Sequence, residues 1–141
     1  MPDDTGGEYV IPSDLEAARR VQDRIEAVVK AAFDEHDAFA VKMAVEEALV
    51  NAIKHGNQMD RTKKVRICYR LLTDRFECHI SDEGPGFDPA DVPDPTAVEN
   101  LERPCGRGLM LMRHYMNEVA YNAEGNRVSM SRVFKNQNGK K

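Results

Sequence analysis

The chain has no tryptophan, only three cysteines, and no excess of positive charge. Cys68, Cys78 and Cys105 are an odd number with no C-x-x-C spacing, which argues against a disulfide framework or a zinc site. Twenty lysines and arginines against 24 acidic residues leave a net charge of −4, so wholesale nucleic-acid binding is not expected. No apolar run reaches the ~20 residues of a membrane-spanning helix. The first residues, Met1-Pro2-Asp3-Asp4, lack the basic and apolar segments of a signal peptide, so the expected compartment is the cytoplasm. No segment repeats, and no Walker-type G-x-x-x-x-G-K-[ST] loop occurs. What is present is ordinary for a globular domain: 141 residues, 41% apolar and 31% charged, enough for one domain around one core.

Read in order, Glu8-Tyr9-Val10-Ile11 forms a short strand before Pro12. Ser13-Asp14-Leu15-Glu16 has the pattern of a capping box, with Ser13 as N-cap and Glu16 reaching back. Leu15, Ala18, Val21, Ile25, Val28, Val29 and Ala32 then recur at helical spacing. The opposite face carries Arg19, Arg20, Asp23, Arg24 and Glu26, a solvated surface or, for Arg19 and Arg20, a partner contact. Asp34 or Asp37 opens a second helix that runs to about His55, buries Val41, Ala44, Val45, Ala48, Leu49 and Ala52, and ends at a left-handed Gly56. Val65, Ile67, Tyr69 and Leu71 alternate with polar residues, as do Phe76, Cys78 and Ile80, giving two strands around a turn at 72–75. Cys68 and Cys78 read as small packing residues of these strands. Residues 84–106 hold five prolines and little apolar periodicity, a loop long enough to be functional. A third helix with Leu109, Met112 and Met116 starts near Gly108. Val119 to Ala123 and Arg127 to Phe134 form a hairpin about Glu124-Gly125-Asn126. Residues 1–134 are thus one domain, followed by a polar tail, 135–141.

Three short motifs carry the chemistry. In the first, E-E-A-L-V-N-A-I-K-H-G-N at 46–57, Glu47 and Asn51 are one helical turn apart and side by side. An amide oxygen such as that of Asn51 can ligate a hard cation, and Glu47 can accept a proton from a hydroxyl or water. Lys54 and His55 stand at the helix end, within reach of phosphate. Glu46 is an adjacent carboxylate, but only Glu47 lies four residues before Asn51. In the second motif, D-E-G-P-G at 82–86, Asp82 continues the inward parity of Phe76, Cys78 and Ile80. An inward carboxylate needs a donor, and the exocyclic amino group of a base is one. Gly84 and Gly86 let backbone approach a ligand closely. In the third, G-R-G-L at 106–109, a glycine loop opens a helix whose N-terminus suits phosphate, with Arg107 and Arg103 adding charge. Taken singly, each is also a common surface pair, a strand-ending turn or a hinge.

The order and spacing of all three together resemble the GHKL (Bergerat-fold) ATPases and kinases, over nearly the whole chain. Within that family the sequence is most similar to bacterial anti-sigma-factor serine/threonine kinases, through E-A-L-V-N-A-I-K-H-G and M-R-H-Y-M-N-E-V at 112–119. The resemblance implies an α+β fold, a two-layer sandwich with a mixed, mainly antiparallel sheet, helices on one face, and residues 84–106 as an ATP lid. It implies ATP and Mg2+, Glu47 as catalytic base, Asn51 as metal ligand, and Asp82 as reader of the adenine amino group. Gly84, Gly86, Gly106, Gly108 and Leu109 would shape the pocket and lid, with Lys54, His55, Arg103 and Arg107 toward phosphate. The implied partners are an anti-anti-sigma factor as phosphorylation substrate and a sigma factor, with a homodimer as candidate assembly and no direct contact with nucleic acid or membrane. Two other readings stay open: a nucleotide-binding module that sequesters a partner without phosphotransfer, and the ATP-binding domain of a histidine kinase.

Overall fold

In the computed structural model, residues 5–84 and 111–134 are described. They fold as β1 (Thr5–Pro12), α1 (Leu15–Ala32), α2 (Glu35–Val50), a π-helical turn (Asn51–Gly56), β2 (Lys64–Leu71), β3 (Arg75–Asp82), α3 (residues 111–115), β4 (Glu118–Tyr121) and β5 (Arg127–Val133). The strands make one sheet in the order β1-β2-β3-β5-β4. All four described pairings are antiparallel, the principal component of the α+β sandwich expected from the sequence. The proline-rich segment, the G-R-G-L loop, Cys105 and the polar tail lie outside the described residues.

Strand parity decides which face is covered. Val65, Ile67, Tyr69 and Leu71 of β2 and Phe76, Cys78 and Ile80 of β3 are buried, and join Val128 and Met130 of β5 in the core. The two helices supply the other layer through Ala18, Val21, Ile25 and Val29 of α1 and Val41, Ala44, Val45, Ala48 and Leu49 of α2. Met112 and Met116 close the core beside them. The opposite sheet face is polar: Arg66 and Arg70 alternate with the buried set on β2, and His79 bonds Ser129 across β3 and β5. Cys68 has this outer parity, between Glu8 and His79 in the register, so only Cys78 is a core residue. Burial, with a smaller push from neighbouring Cys68, holds the Cys78 thiol well above its ordinary range, which leaves it protonated and inert.

The N-terminal cap of α1 differs from the expected capping box. Asp14 is the N-cap, its Oδ1 accepting from the Glu16 N–H at 3.0 Å. Ser13 is buried instead, donating to the Lys63 carbonyl at 2.8 Å and accepting from Asn57 Nδ2 at 2.8 Å. Its hydroxyl is withdrawn from the helix by a long-range network, so the next residue caps. Strand β1 also extends further than the predicted 8–11, because residues 5–12 all pair with β2. The start of α2 follows expectation: Asp34 is the N-cap, accepting from the Asp37 N–H at 2.9 Å.

The end of α2 departs from the predicted helix and its left-handed glycine. Residues 51–56 form a wider π-turn, with the Asn57 N–H donating to the Ala52 carbonyl at 2.8 Å. Gly56 is right-handed within this turn; the left-handed residues are Gln58 (φ 55°) and Met59 (φ 62°). Single π-turns within helices concentrate at functional sites because they re-aim the side chains that follow. This one carries the first motif to the end of β3.

Candidate functional site

The second half of the first motif and the start of the second are pressed together. A Cβ on Gly56 would overlap the Asp82 carboxylate, and a Cβ on Gly84 would overlap the Gly56 carbonyl. Glycine is thus required at 56 for close approach, since its backbone is one that any residue adopts. Widening the last turn of the helix brings Gly56 to this position while Asn51, Ala52 and His55 stay along the same wall.

That wall borders a cavity with about 550 Å³ of empty space, open to solvent. Ala48 and Ala52 line it from the helix, Ile80 and Val128 from the sheet, and Tyr121, Gly125 and Asn126 from the β4–β5 hairpin. Asn51, His55 and Asp82 are its other polar and charged liners. Two small residues on one side and two aliphatic ones beside them leave a slot fit for a flat, apolar-faced ring with a polar edge.

Asp82 sits at the last position of β3, where its N–H donates to the Asn126 carbonyl at 2.9 Å. Its side chain accepts one hydrogen bond among the described residues, from the Gly84 N–H to Oδ1 at 2.8 Å. Burial raises its pKa above the ordinary carboxylate value; the Gly84 N–H and the more distant charge of Lys63 oppose this without cancelling it. An inward carboxylate with one donor and an open side is a receptor for a further N–H, as its strand parity implied.

Glu47 and Asn51 lie one turn apart at the end of α2, both half-buried, but they differ in placement. Asn51 lines the cavity and Glu47 does not. Burial raises the Glu47 pKa, the charge of Glu46 adds to this, and His55 opposes it. A carboxyl so shifted is a stronger base when ionised than a free one. Glu46 turns the other way, toward α1, where Gln22 Nε2 lies 3.4 Å from its Oε1. The structure therefore separates the two adjacent glutamates as helical spacing does. His55 is exposed at the cavity wall; Lys54 is exposed and is not among its lining residues. Gly86, Arg103, Gly106, Arg107, Gly108 and Leu109 lie outside the described residues.

Sequence reasoning passed over three residues that build this site: Asn57, Tyr121 and Asn126. Asn57 closes the first motif and is fully buried, with its amide joined to Ser13, Lys64 and Glu83. A polar residue just past a helix reads as loop, so nothing local marks it as buried. Tyr121 and Asn126 sit on a hairpin that was predicted, but which end of it meets Asp82 depends on β5 pairing with β3.

Comparison with known proteins agrees with the fold. The profile of the histidine kinase-like ATPase domain family matches residues 11–132. The serine-protein kinase RsbW of Bacillus licheniformis is 32% identical over 114 residues, covering 74% of this chain and 70% of that protein. The serine/threonine-protein kinase BtrW of Bordetella bronchiseptica is 29% identical over 85 residues, covering 59% of this chain and 60% of that protein. The crystal structure of the RsbU and RsbW domains of Rv1364c from Mycobacterium tuberculosis superposes with a TM-score of 0.64 over 95% of this chain and 33% of that one. At 14% identity that likeness bears on the fold alone.

Proposed function

The chain belongs to the histidine kinase-like ATPase domain family, and from that premise we propose that it is an ATP-dependent protein serine/threonine kinase of the anti-sigma-factor type. It phosphorylates an anti-anti-sigma partner and sequesters a sigma factor in the cytoplasm, as a single domain over residues 1–134 that forms a homodimer. The observation that carries the nucleotide part is Asp82, inward at a strand end with an open acceptor side beside an apolar slot. The kinase names of the 29–32% identical relatives support phosphotransfer as the use of that nucleotide.

In this reading the adenine lies between the Ala48–Ala52 wall and Ile80, and its amino group donates to Asp82. The residues fit a divalent cation through the Asn51 amide oxygen, a hard neutral ligand at the cavity wall. Mg2+ held there would neutralise phosphate charge, which is what phosphoryl transfer needs most besides positioning. Glu47, outside the cavity but one turn from Asn51, takes the proton of the incoming serine or threonine hydroxyl. Its raised pKa strengthens it for this task and moves the acid limb of the rate upward in pH. His55, Lys54, Arg103 and Arg107 are assigned to the phosphates, and Gly86, Gly106, Gly108 and Leu109 to the pocket and lid that the family resemblance implies.

The test is phosphotransfer from ATP to an anti-anti-sigma protein from the same cell. Glu47→Ala is expected to lower the rate at least ~100-fold, the scale of general-base catalysis, with ATP affinity nearly unchanged. Undiminished transfer by that variant would remove Glu47 from the mechanism. ATP binding with no transfer to any such protein would favour a sequestering module instead.

A further inference from the structure

The turn after β3 is held by two asparagines from two other parts of the chain. Asn57 Oδ1 accepts from the Glu83 N–H at 2.8 Å. The Asn126 carbonyl accepts from the Asp82 N–H at 2.9 Å, and its Nδ2 donates to the Gly84 carbonyl at 3.4 Å. The Gly84 N–H is thereby left to Asp82 Oδ1. Each backbone N–H of residues 82, 83 and 84 has a defined acceptor, and the carboxylate direction follows from the third.

Asn57 is the less replaceable of the two. It is 0% exposed, and its three side-chain bonds run to three different segments. Besides Glu83, its Nδ2 donates to Ser13 Oγ at 2.8 Å and to the Lys64 carbonyl at 3.0 Å. Its own N–H closes the π-turn on Ala52. One amide therefore fixes the end of the Asn51 helix, the start of β2 and the turn that aims Asp82. Asn126, by contrast, is half-buried, and its Oδ1 is occupied locally by Asn122.

We infer that Asn57 is a positioning residue for base recognition, setting the orientation of the Asp82 carboxylate through Glu83 and Gly84. This rests on the nucleotide reading above. A residue with a merely structural role would, when lost, weaken all nucleotides alike or none. Loss of a residue that aims Asp82 weakens only nucleotides that offer it an amino group.

The purified full chain is therefore assayed by competition of ATP and of purine riboside triphosphate, which lacks the amino group, against a fluorescent nucleotide. Wild type is expected to prefer ATP. In Asn57→Ala, ATP affinity is expected to fall about tenfold, the scale of a hydrogen bond to a charged group, with purine riboside triphosphate unchanged. Equal weakening of both, or an intact preference in a folded variant, overturns the inference. Should Asn57→Ala fail to fold, Ser13→Ala decides: it removes one partner of Nδ2 in a similar volume. A several-fold loss of preference then supports the inference, and an unchanged preference overturns it. A wild type that binds neither nucleotide overturns the nucleotide reading; one that binds both equally removes Asp82 as reader of the base and this inference with it; a discriminating wild type with equally discriminating variants overturns this inference alone.

Discussion

Asp37 and Asp82 mark the two ends of the helix that carries the first motif, and the protein treats them in opposite ways. Both are held above the ordinary carboxylate range, in each case chiefly by burial. At the start of α2, the guanidinium of Arg132 answers Asp37, with Nε at 3.0 Å and Nη2 at 2.8 Å from Oδ1. The same arginine donates to the Tyr115 carbonyl at 2.6 Å, so one cation ties α2, α3 and β5. At the far end, Asp82 has the Gly84 N–H and an open side toward the cavity. One carboxylate is paired with a cation of the fold; the other takes a backbone N–H and borders the cavity. Burial thus does not by itself distinguish the two; what each carboxylate faces does.

The largest effect expected from breaking this contrast lies at the satisfied end. Arg132→Ala leaves the Asp37 carboxylate, 4% exposed, without its cation. Removing one member of a buried pair costs about 3 kcal/mol or more. Urea denaturation is expected to register that loss, while the folded fraction binds ATP with near wild-type affinity. A folded variant that had lost ATP would join the two ends into one functional unit.

Next in size is Gly56→Ala, at the ligand-facing end. The added methyl meets the Asp82 carboxylate, so either the π-turn or the strand end must move. Overpacking of this kind costs about 2 kcal/mol. Here the loss is expected in binding as well, because the group displaced is the proposed reader of the base. Paired thermal melts and nucleotide titrations check it; a variant melting lower yet binding normally would free Asp82 from its dependence on the π-turn.

The contrast between the two ends also shows what a sequence can disclose. Alternation along 65–71 and 76–82 placed the sheet faces and the inward Asp82, because side-chain parity in a strand is local. Spacing of four separated Glu47 from Glu46, again a local property of the helix. Local pattern gives Gly56 a helix-ending left-handed role, whereas its reason is a carboxylate 26 positions further along the chain. The Ser13 pattern likewise points to a cap, whereas its partners, Asn57 and Lys63, are set by tertiary packing. The strand parity and helix spacing that bring Asn51 and Asp82 to one cavity are legible; the asparagines that hold these segments together are not, since each acts on residues tens of positions away.

The smallest effect sharpens the contrast most, because its sign differs between stability and function. The folded pKa of Asp82 lies above the ordinary value of 3.8, so the folded state binds this proton more readily than the unfolded chain. The stabilisation that protonation brings is fully present below the ordinary value and is lost as pH rises through the folded pKa. At neutral pH the charged Asp82 therefore costs the free protein stability. Asp82→Asn, which keeps an acceptor for the Gly84 N–H, is expected to melt at the same or a slightly higher temperature at pH 7, by less than about 1 kcal/mol. The difference from wild type shrinks as pH falls through the raised pKa. Over the same range wild-type ATP affinity declines, since Oδ1 is held by the Gly84 N–H and the added proton occupies the oxygen left for the base. The variant's preference for ATP over purine riboside triphosphate is lost at every pH. Melting curves and titrations from pH 4 to pH 7 read both arms. A variant that melts well below wild type at pH 7 would put Asp82 in the same class as Asp37, a carboxylate already answered by the fold, and the cavity would need another reader.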